Sequence, residues 1–396
     1  MSIKLKLGGA AFAALLALPI AASAQLMIIA NDEKATWNDA GVLQWGAPGK
    51  DTVLVVDISK PLAPKIVVSL PLINTVVGPP TNLAITPDAS LALVANSMNV
   101  TQDGGAWKPS PDTKIHLIDL KAKPPAAIGS VEVGKQPSGM AIGMKGDMAL
   151  VAHRADNAVG VLSIKGKEVK LVDTVKVSAD NAPNEQVSAV AITPDGKWAL
   201  AAKFAANKVA VLAIGTDGKV TYTKQDITVG VWPYNVQIAP SGKIALTADN
   251  GFAGSSDGNV DTVTVIDLEA SPPRAIDKVV VGDAPEGLVI SPKGDVAAAI
   301  LLNGSAGVPK GAWYANPAGK VAILKIDGKK VRKIKEIEVG GLPEGAVFSP
   351  DGKYLYVGNF TTSDVSILAI NGTTVTNTGK MLKLSGHPAA MRGTSP

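Results

Sequence analysis

Val339-Gly340-Gly341-Leu342-Pro343-Glu344-Gly345-Ala346-Val347-Phe348-Ser349-Pro350-Asp351-Gly352-Lys353-Tyr354-Leu355-Tyr356-Val357-Gly358-Asn359 is the clearest copy of a phrase that returns along this chain. Each copy runs from Val-Gly through a gap ending in Pro to an apolar strand. A Pro-Asp-Gly turn and a second apolar strand closing on a polar residue follow. The turn is encoded locally, because Pro presets φ near −65° and Gly accepts the positive φ of a tight hairpin. Turn anchors fall at Pro87, Met144, Pro194, Pro240, Pro292 and Pro350, with Pro396 as a seventh, at spacings of 46 to 58 residues. Pro87-Asp88-Ala89 and Pro240-Ser241-Gly242 vary the theme, and Met144-Lys145-Gly146-Asp147 departs furthest while keeping Gly.

Such a period belongs to propellers or solenoids. The pattern inside each unit separates the two. Val263-Thr264-Val265-Ile266-Asp267 and Val365-Ser366-Ile367-Leu368-Ala369 alternate in the manner of half-buried strands, and no amphipathic helix of useful length follows residue 24. Units of four antiparallel strands are propeller blades. The chain ends on Ser385-Gly386-His387-Pro388 through Pro396, which reads as the first half of a unit. It begins, after its leader, on Leu26-Met27-Ile28-Ile29-Ala30-Asn31, the second strand of a unit. The expected fold is therefore an all-β, seven-bladed propeller of four-stranded antiparallel blades. Pairing of the N- and C-terminal strands in one split blade closes the ring and leaves no long free edge.

Tyr356-Val357-Gly358-Asn359, Leu93-Val94-Ala95-Asn96 and Leu150-Val151-Ala152-His153 give the chain its likeness to a known group. It resembles the bacterial YVTN-type β-propeller repeat family over nearly all of its length past the leader. The wider group includes secreted propellers, surface-layer proteins, nucleic-acid-binding periplasmic propellers and propeller lactonases. The resemblance implies the fold and leaves the function to the site.

Residues 1–24 have the form of a secretory signal: Lys4 and Lys6, an apolar run from Leu7 to Ala21, and Ala22-Ser23-Ala24 before Gln25. This predicts a periplasmic or secreted protein with residues 25–396 as one propeller domain. The apolar run is shorter than the ~20 residues of a membrane span. With no cysteine, disulfides, thiol nucleophiles and cysteine-held clusters are excluded. Net charge is +4, falling to +2 without Lys4 and Lys6, which argues against nucleic acid as a partner. The basic run Lys329 to Lys335 reads as the solvated outermost strand of a blade.

Insertions concentrate on one face. With the split blade numbered first, the connections between second and third strands are long in blades one (Asp32–Lys50), two (Ser97–Asp112), five (Asn250–Asn259) and six (Leu302–Gly319). They are short after His153, Lys203 and Asn359. This placement predicts two walls on opposite sides of the axis. Four of the six Trp, namely Trp37, Trp45, Trp107 and Trp313, fall in the long connections with Tyr314, while Trp232 and Tyr234 share a blade entry. Aromatic residues gathered on loops suit recognition of a ligand or protein partner; the alternative is that each Trp pins its own loop.

Polar residues converge on the same face. Asn31, Asn96, His153, Lys203, Asp249 and Asn359 close second strands, and the entries add Glu286, Glu344 and His387. Recurrence of Asn at one register favours a structural role, since a structural need repeats in every blade. Glu286 and Glu344 both lie in Pro-Glu-Gly at consecutive entries, so they are neighbours around the axis. Two carboxylates there suit acid–base work or a hard cation such as calcium or another divalent metal. His153, followed by Arg154, breaks the Asn pattern. Two His on the face are too few for a zinc site, and no Gly-x-Ser-x-Gly elbow, phosphate loop or dinucleotide fingerprint occurs.

The sequence by itself favours a non-catalytic binding or interaction scaffold that uses its long-loop face, including Lys203, Asp249, Asn359 and His387. The alternative is a hydrolase resembling propeller lactonases, with Glu286, Glu344, His153 and Arg154 in the funnel. A nucleic-acid-binding propeller is the second alternative.

Overall fold

The computed structural model describes residues 25–78 and 80–394. Residues 1–24, expected to be a leader, and the seventh turn anchor, Pro396, lie outside the described residues. Seven four-stranded antiparallel sheets form the ring. The split blade orders its strands Pro388–Gly393, Leu26–Asn31, Thr52–Asp57 and Lys65–Leu70, so the last strand of the chain is innermost. Met27 pairs with Gly393 and Ile29 with Met391 across that closure. Each innermost strand contacts the next around the axis, and Pro388–Gly393 completes the circle between Leu83–Ile85 and Pro343–Phe348.

Period-two side-chain alternation decides how the blades stack. In Val296–Leu301, Ala297, Ala299 and Leu301 pack with Leu246 and Val265 of the preceding blade. The alternate residues Val296, Ala298 and Ile300 pack with Leu355 and Val357 of the following blade. A strand buried on both faces reads as a continuous apolar run, and its alanines let neighbouring sheets approach closely. Added methylenes at such positions overpack the interface, at about 1–3 kcal/mol each. The outermost strands alternate toward solvent. The basic run lies there: Lys330–Glu338 is outermost in blade six, with Lys333 paired to Glu336.

The repeated turns line the opposite face. Gly146, Gly196, Gly242, Gly294 and Gly352 all have φ between 69° and 73°. Ala89 adopts φ 52° at the same place without the freedom of glycine. The only helix among the described residues is one 3₁₀ turn, Phe204–Ala206.

Candidate functional site

A bulge at each blade entry builds the centre of the loop face. In blade six Pro285 pairs with Leu301 and Gly287 with Ile300, so Glu286 has no partner residue across the ladder. The same skip frees Tyr234 in blade five and Ser188 in blade four. It frees Glu344 in blade seven and Ala389 in blade one. A bulge leaves its extra residue unpaired and re-aims the side chain. Because the seven innermost strands surround the axis, the freed residues gather at its loop end, and all five are buried.

Two of them are carboxyls. Glu286 and Glu344 hydrogen-bond to each other. Burial raises the pKa of both, since removal from water penalises the charged form. The Arg154 guanidinium pulls Glu286 back down, whereas the Glu286 charge pushes Glu344 further up. The environments thus divide the pair into a more acidic Glu286 and a proton-holding Glu344. Asn250 Nδ2 donates to Glu286 Oε1 at 3.4 Å. Tyr234 lies beside both carboxyls with its hydroxyl pKa raised, first by burial.

Arg154 is fixed from two sides. Its Nε and Nη2 donate to Gln186 Oε1 at 3.1 and 2.9 Å. Its guanidinium lies over the rings of Phe204 and Tyr234, at 5.1 and 5.5 Å from their centroids. Arg154 Nη1, Glu344 Oε2 and Thr81 Oγ1 are buried and have no protein hydrogen-bond partner. Buried polar atoms are nearly always satisfied, and of the eleven exceptions among the described residues these include the two charged side chains, Arg154 and Glu344.

The long connections form that roof, and they do not make two opposed walls. Blade one sends out a hairpin, Ala35–Trp37 with Leu43–Trp45. Lys310 N of the blade-six loop donates to Asp39 O at 2.8 Å. Gly41 lies against Val308 so tightly that a Cβ would meet its backbone at 2.6 Å, with φ +75° besides. Ser255 Oγ donates to Gly307 O at 3.3 Å, and Gly304 N to Ser256 Oγ at 2.8 Å, joining loops five and six. The blade-two hairpin, Met98–Asp103 with Ala106–Pro111, touches Leu43–Trp45. Loops five, six, one and two are therefore one continuous cover. The difference arises because contacts between insertions far apart in sequence leave no local pattern.

The aromatic residues expected to bind a partner mostly hold this cover together. Trp37 and Trp45 pack in an apolar cluster with Ala35, Val76, Leu302 and Phe360. Trp107 is half-buried in its hairpin. Trp232 packs on Phe204 at 4.7 Å. Only Trp313 is widely exposed, at 81 %, with Tyr314 at its edge.

Several polar candidates are engaged within their own blades or with the neighbouring one. His153 is buried between Gly134 and Gly160, where a Cβ would meet its ring at 2.2 and 2.5 Å. Its Nε2 accepts from Gly134 N at 3.1 Å, and burial pushes its pKa down to about 4. Lys203 Nζ is paired with Glu185 and Asp226, both at 2.8 Å. Asp249 accepts from the hydroxyls of Thr247, Thr262 and Thr264. Asn359 donates to Asp364 and Ser366. His387 Nδ1 meets Phe360 O at 2.8 Å while its ring stacks on Phe360. The structure brings Glu286, Glu344, Arg154 and Tyr234 together, and adds Gln186, Phe204 and Asn250, which the sequence did not single out. The signal for Gln186 was its position, one residue before an entry strand. For the calcium or other divalent ion anticipated at the carboxyls, no three His, Cys, Asp or Glu gather into a metal-holding group among the described residues.

With this geometry in place, similarity to known proteins becomes informative. A family model described as "Lactonase, 7-bladed beta-propeller" matches residues 113–265. No curated protein matches the chain. A putative 6-phosphogluconolactonase from Bacteroides uniformis superposes with TM-score 0.70 at 16% identity, over 94% of this chain and 99% of its own. A periplasmic gluconolactonase from Pseudomonas aeruginosa gives 0.64 at 18%, over 94% and 99%. Hydrazine synthase from Kuenenia stuttgartiensis gives 0.55 at 22%, over 75% and 78%. At these identities the structural likenesses show a shared propeller fold. The lactonase family match overturns the sequence-based preference for a non-catalytic binding scaffold. The physical reason is visible in the cover, where most of the aromatics behind that preference pack against the protein itself.

Proposed function

We propose that this protein is a lactonase-like hydrolase, a YVTN-repeat propeller that opens a small lactone ring at the loop end of its axis. The observation that carries the reading is the Glu286–Glu344 pair, placed on two adjacent entry bulges with Arg154 held beside Glu286. The lactonase match over residues 113–265, which contain Arg154 and Tyr234, supports it. The secretory form of residues 1–24 and the periplasmic gluconolactonase among similar folds support a periplasmic setting.

Glu286, the more acidic member, takes a proton from a water molecule as that oxygen bonds to the lactone carbonyl carbon. The carbonyl oxygen gains the electron pair, and Arg154 with its unpaired Nη1 stabilises it. Collapse breaks the bond from the carbonyl carbon to the ring oxygen, which takes the proton of Glu344. The product is a hydroxycarboxylic acid, and the pair again holds one proton, which returns between the two hydrogen-bonded carboxyls. A pair working with one shared proton gives activity that falls as pH rises far enough to remove it. The short connections of blades three and four leave the approach to Arg154 least obstructed.

The test is hydrolysis of δ-gluconolactone and γ-butyrolactone followed by acid release, with and without added calcium. Wild-type turnover is expected, with kcat/KM lowered about 100- to 1,000-fold in Arg154→Gln. A folded wild-type protein that hydrolyses neither lactone under either condition would sink the reading.

A further inference from the structure

The turn end of the axis holds a second feature, unrelated to the carboxyl pair. A cavity of about 390 Å³ opens there, lined by innermost-strand residues of all seven blades. That volume lies within the range of small-molecule sites, about 300–1,000 Å³. Apolar side chains form one belt of its wall: Ala84, Ala141, Ala191, Val289 and Val347 occupy matching positions around the ring, and Pro87, Met144, Pro194, Pro240 and Pro292 form the mouth. Blade one contributes Arg392 at that register, the one charged residue of the lining.

Arg392 is set in blade one and its Nη2 reaches Met140 O of blade three at 3.4 Å, so the guanidinium lies across the cavity. That long contact is its one hydrogen bond to protein among the described residues, and no carboxylate pairs with it. Burial lowers its pKa and no acidic group opposes the shift. A guanidinium carries five donors in a planar fork and stays charged in proteins. Half-buried at the axis, with no anion beside it among the described residues, the guanidinium has N–H donors free to take one from solution. Gln237 adds an amide at the same level.

We propose that the turn-face cavity binds an amphiphilic monocarboxylate, its carboxylate on the Arg392 fork and its aliphatic chain along the alanine and valine walls toward the proline mouth. The planar fork matches a carboxylate in two parallel hydrogen bonds. One positive charge suits a monoanion, and the apolar walls disfavour a doubly charged, fully hydrated ion such as phosphate. This site stands independently of the lactonase reading.

Isothermal titration of the full chain with octanoate tests it. One octanoate is expected per chain, with binding weakened at least ~10-fold in Arg392→Gln, the worth of a charged hydrogen bond. 1-Octanol should bind at least ~10-fold more weakly than octanoate, and inorganic phosphate should not compete. Glu344→Gln should leave octanoate binding unchanged, so failure here and failure of lactone hydrolysis are separate results. If Arg392→Gln does not fold, Val289→Phe fills the cavity while keeping the charge, and loss of octanoate is expected. Unchanged affinity in Arg392→Gln or in Val289→Phe, equal binding of octanol, or displacement by phosphate overturns the proposal. So does octanoate binding that appears only after removal of Ser395 and Pro396, which would give Arg392 to the chain's own terminus.

Discussion

Two buried clusters each combine one cation with two carboxyls, and they differ in how completely they are satisfied. At the root of the blade-one loop, Lys34 Nζ meets Asp32 Oδ1 at 3.0 Å, Asp51 Oδ2 at 2.7 Å and the carbonyl of Asn74. The remaining oxygens accept backbone protons: Asp32 Oδ2 from Val76 and Asp51 Oδ1 from Glu33, both at 2.8 Å. At the axis, Arg154 and Glu344 each keep a buried atom without a partner, and the two carboxyls must share a proton. Charge count and burial do not tell these clusters apart. The charged atoms of the first are fully hydrogen-bonded, as a structural fastener requires; those of the second are not, and the proposed function rests on that difference.

The sharpest way to break this comparison is to neutralise one member of each cluster. Glu286→Gln is expected to lower kcat/KM for a lactone by about 100- to 10,000-fold. It should leave the denaturant midpoint unchanged or higher, because a buried ionisable group is replaced by an amide of the same shape. A loss of stability in step with activity would make the pair structural and erase the distinction.

Lys34→Met has the opposite signature. It strands Asp32 and Asp51 without their cation, and breaking a buried pair in this way costs about 3–5 kcal/mol. The measurement is guanidinium unfolding at constant m-value, with the product of lactone hydrolysis followed alongside. A change below about 1 kcal/mol would show that the fastener contributes no more than an exposed ion pair.

Between these extremes lies Gln186, which touches Arg154 and no carboxyl. Gln186→Ala should reduce kcat by about 10-fold, the scale of one hydrogen bond of about 1.4 kcal/mol to a charged group. Gln186→Glu should partly rescue the position of Arg154 while shifting the pH profile. A pH profile identical to wild type in the Glu variant would remove Gln186 as a positioning residue.

The same contrast explains which parts of the molecule were legible in the sequence. The phrase around Pro350-Asp351-Gly352 recurs because every blade needs the same turn, so blade number and ring closure could be read from it. The Glu286–Glu344 adjacency was legible because two Pro-Glu-Gly entries stand in consecutive repeats. His153 misled, because a departure from the repeated Asn looked like chemistry. The structure instead shows Gly134 and Gly160 making room for its ring. The cover was not legible, since Asp39 and Lys310 meet across 271 positions of sequence with no shared pattern. Nor were the bulges, because they are a property of pairing register and one skipped partner leaves no mark on apolar alternation.

The most gradual expected effect is a slope in stability against pH. Glu286 and Glu344 have folded pKa values raised above their unfolded ones, and Asp261 is pushed up to about 7, chiefly by burial. For a raised carboxyl, the stability of the neutral form is fully present below the unfolded pKa and is lost as pH rises through the folded one. His153 works the other way: its pKa falls from 6.5 to about 4, so its contribution is lost as pH drops through that interval. Above pH 6.5 the histidine is silent and the carboxyls act alone. The unfolding free energy read from guanidinium titrations should therefore decline from pH 6.5 to about pH 8, by at most ~1.4 kcal/mol per pH unit for each carboxyl still protonated in the fold. Glu344→Gln removes its part of the axial share of that slope, while Asp261→Asn removes the share of the third strand of blade five. A wild-type midpoint that rises across this interval would mean that the axial carboxyls are held by a cation in the way Lys34 holds Asp32 and Asp51, and the two clusters would then be of one kind.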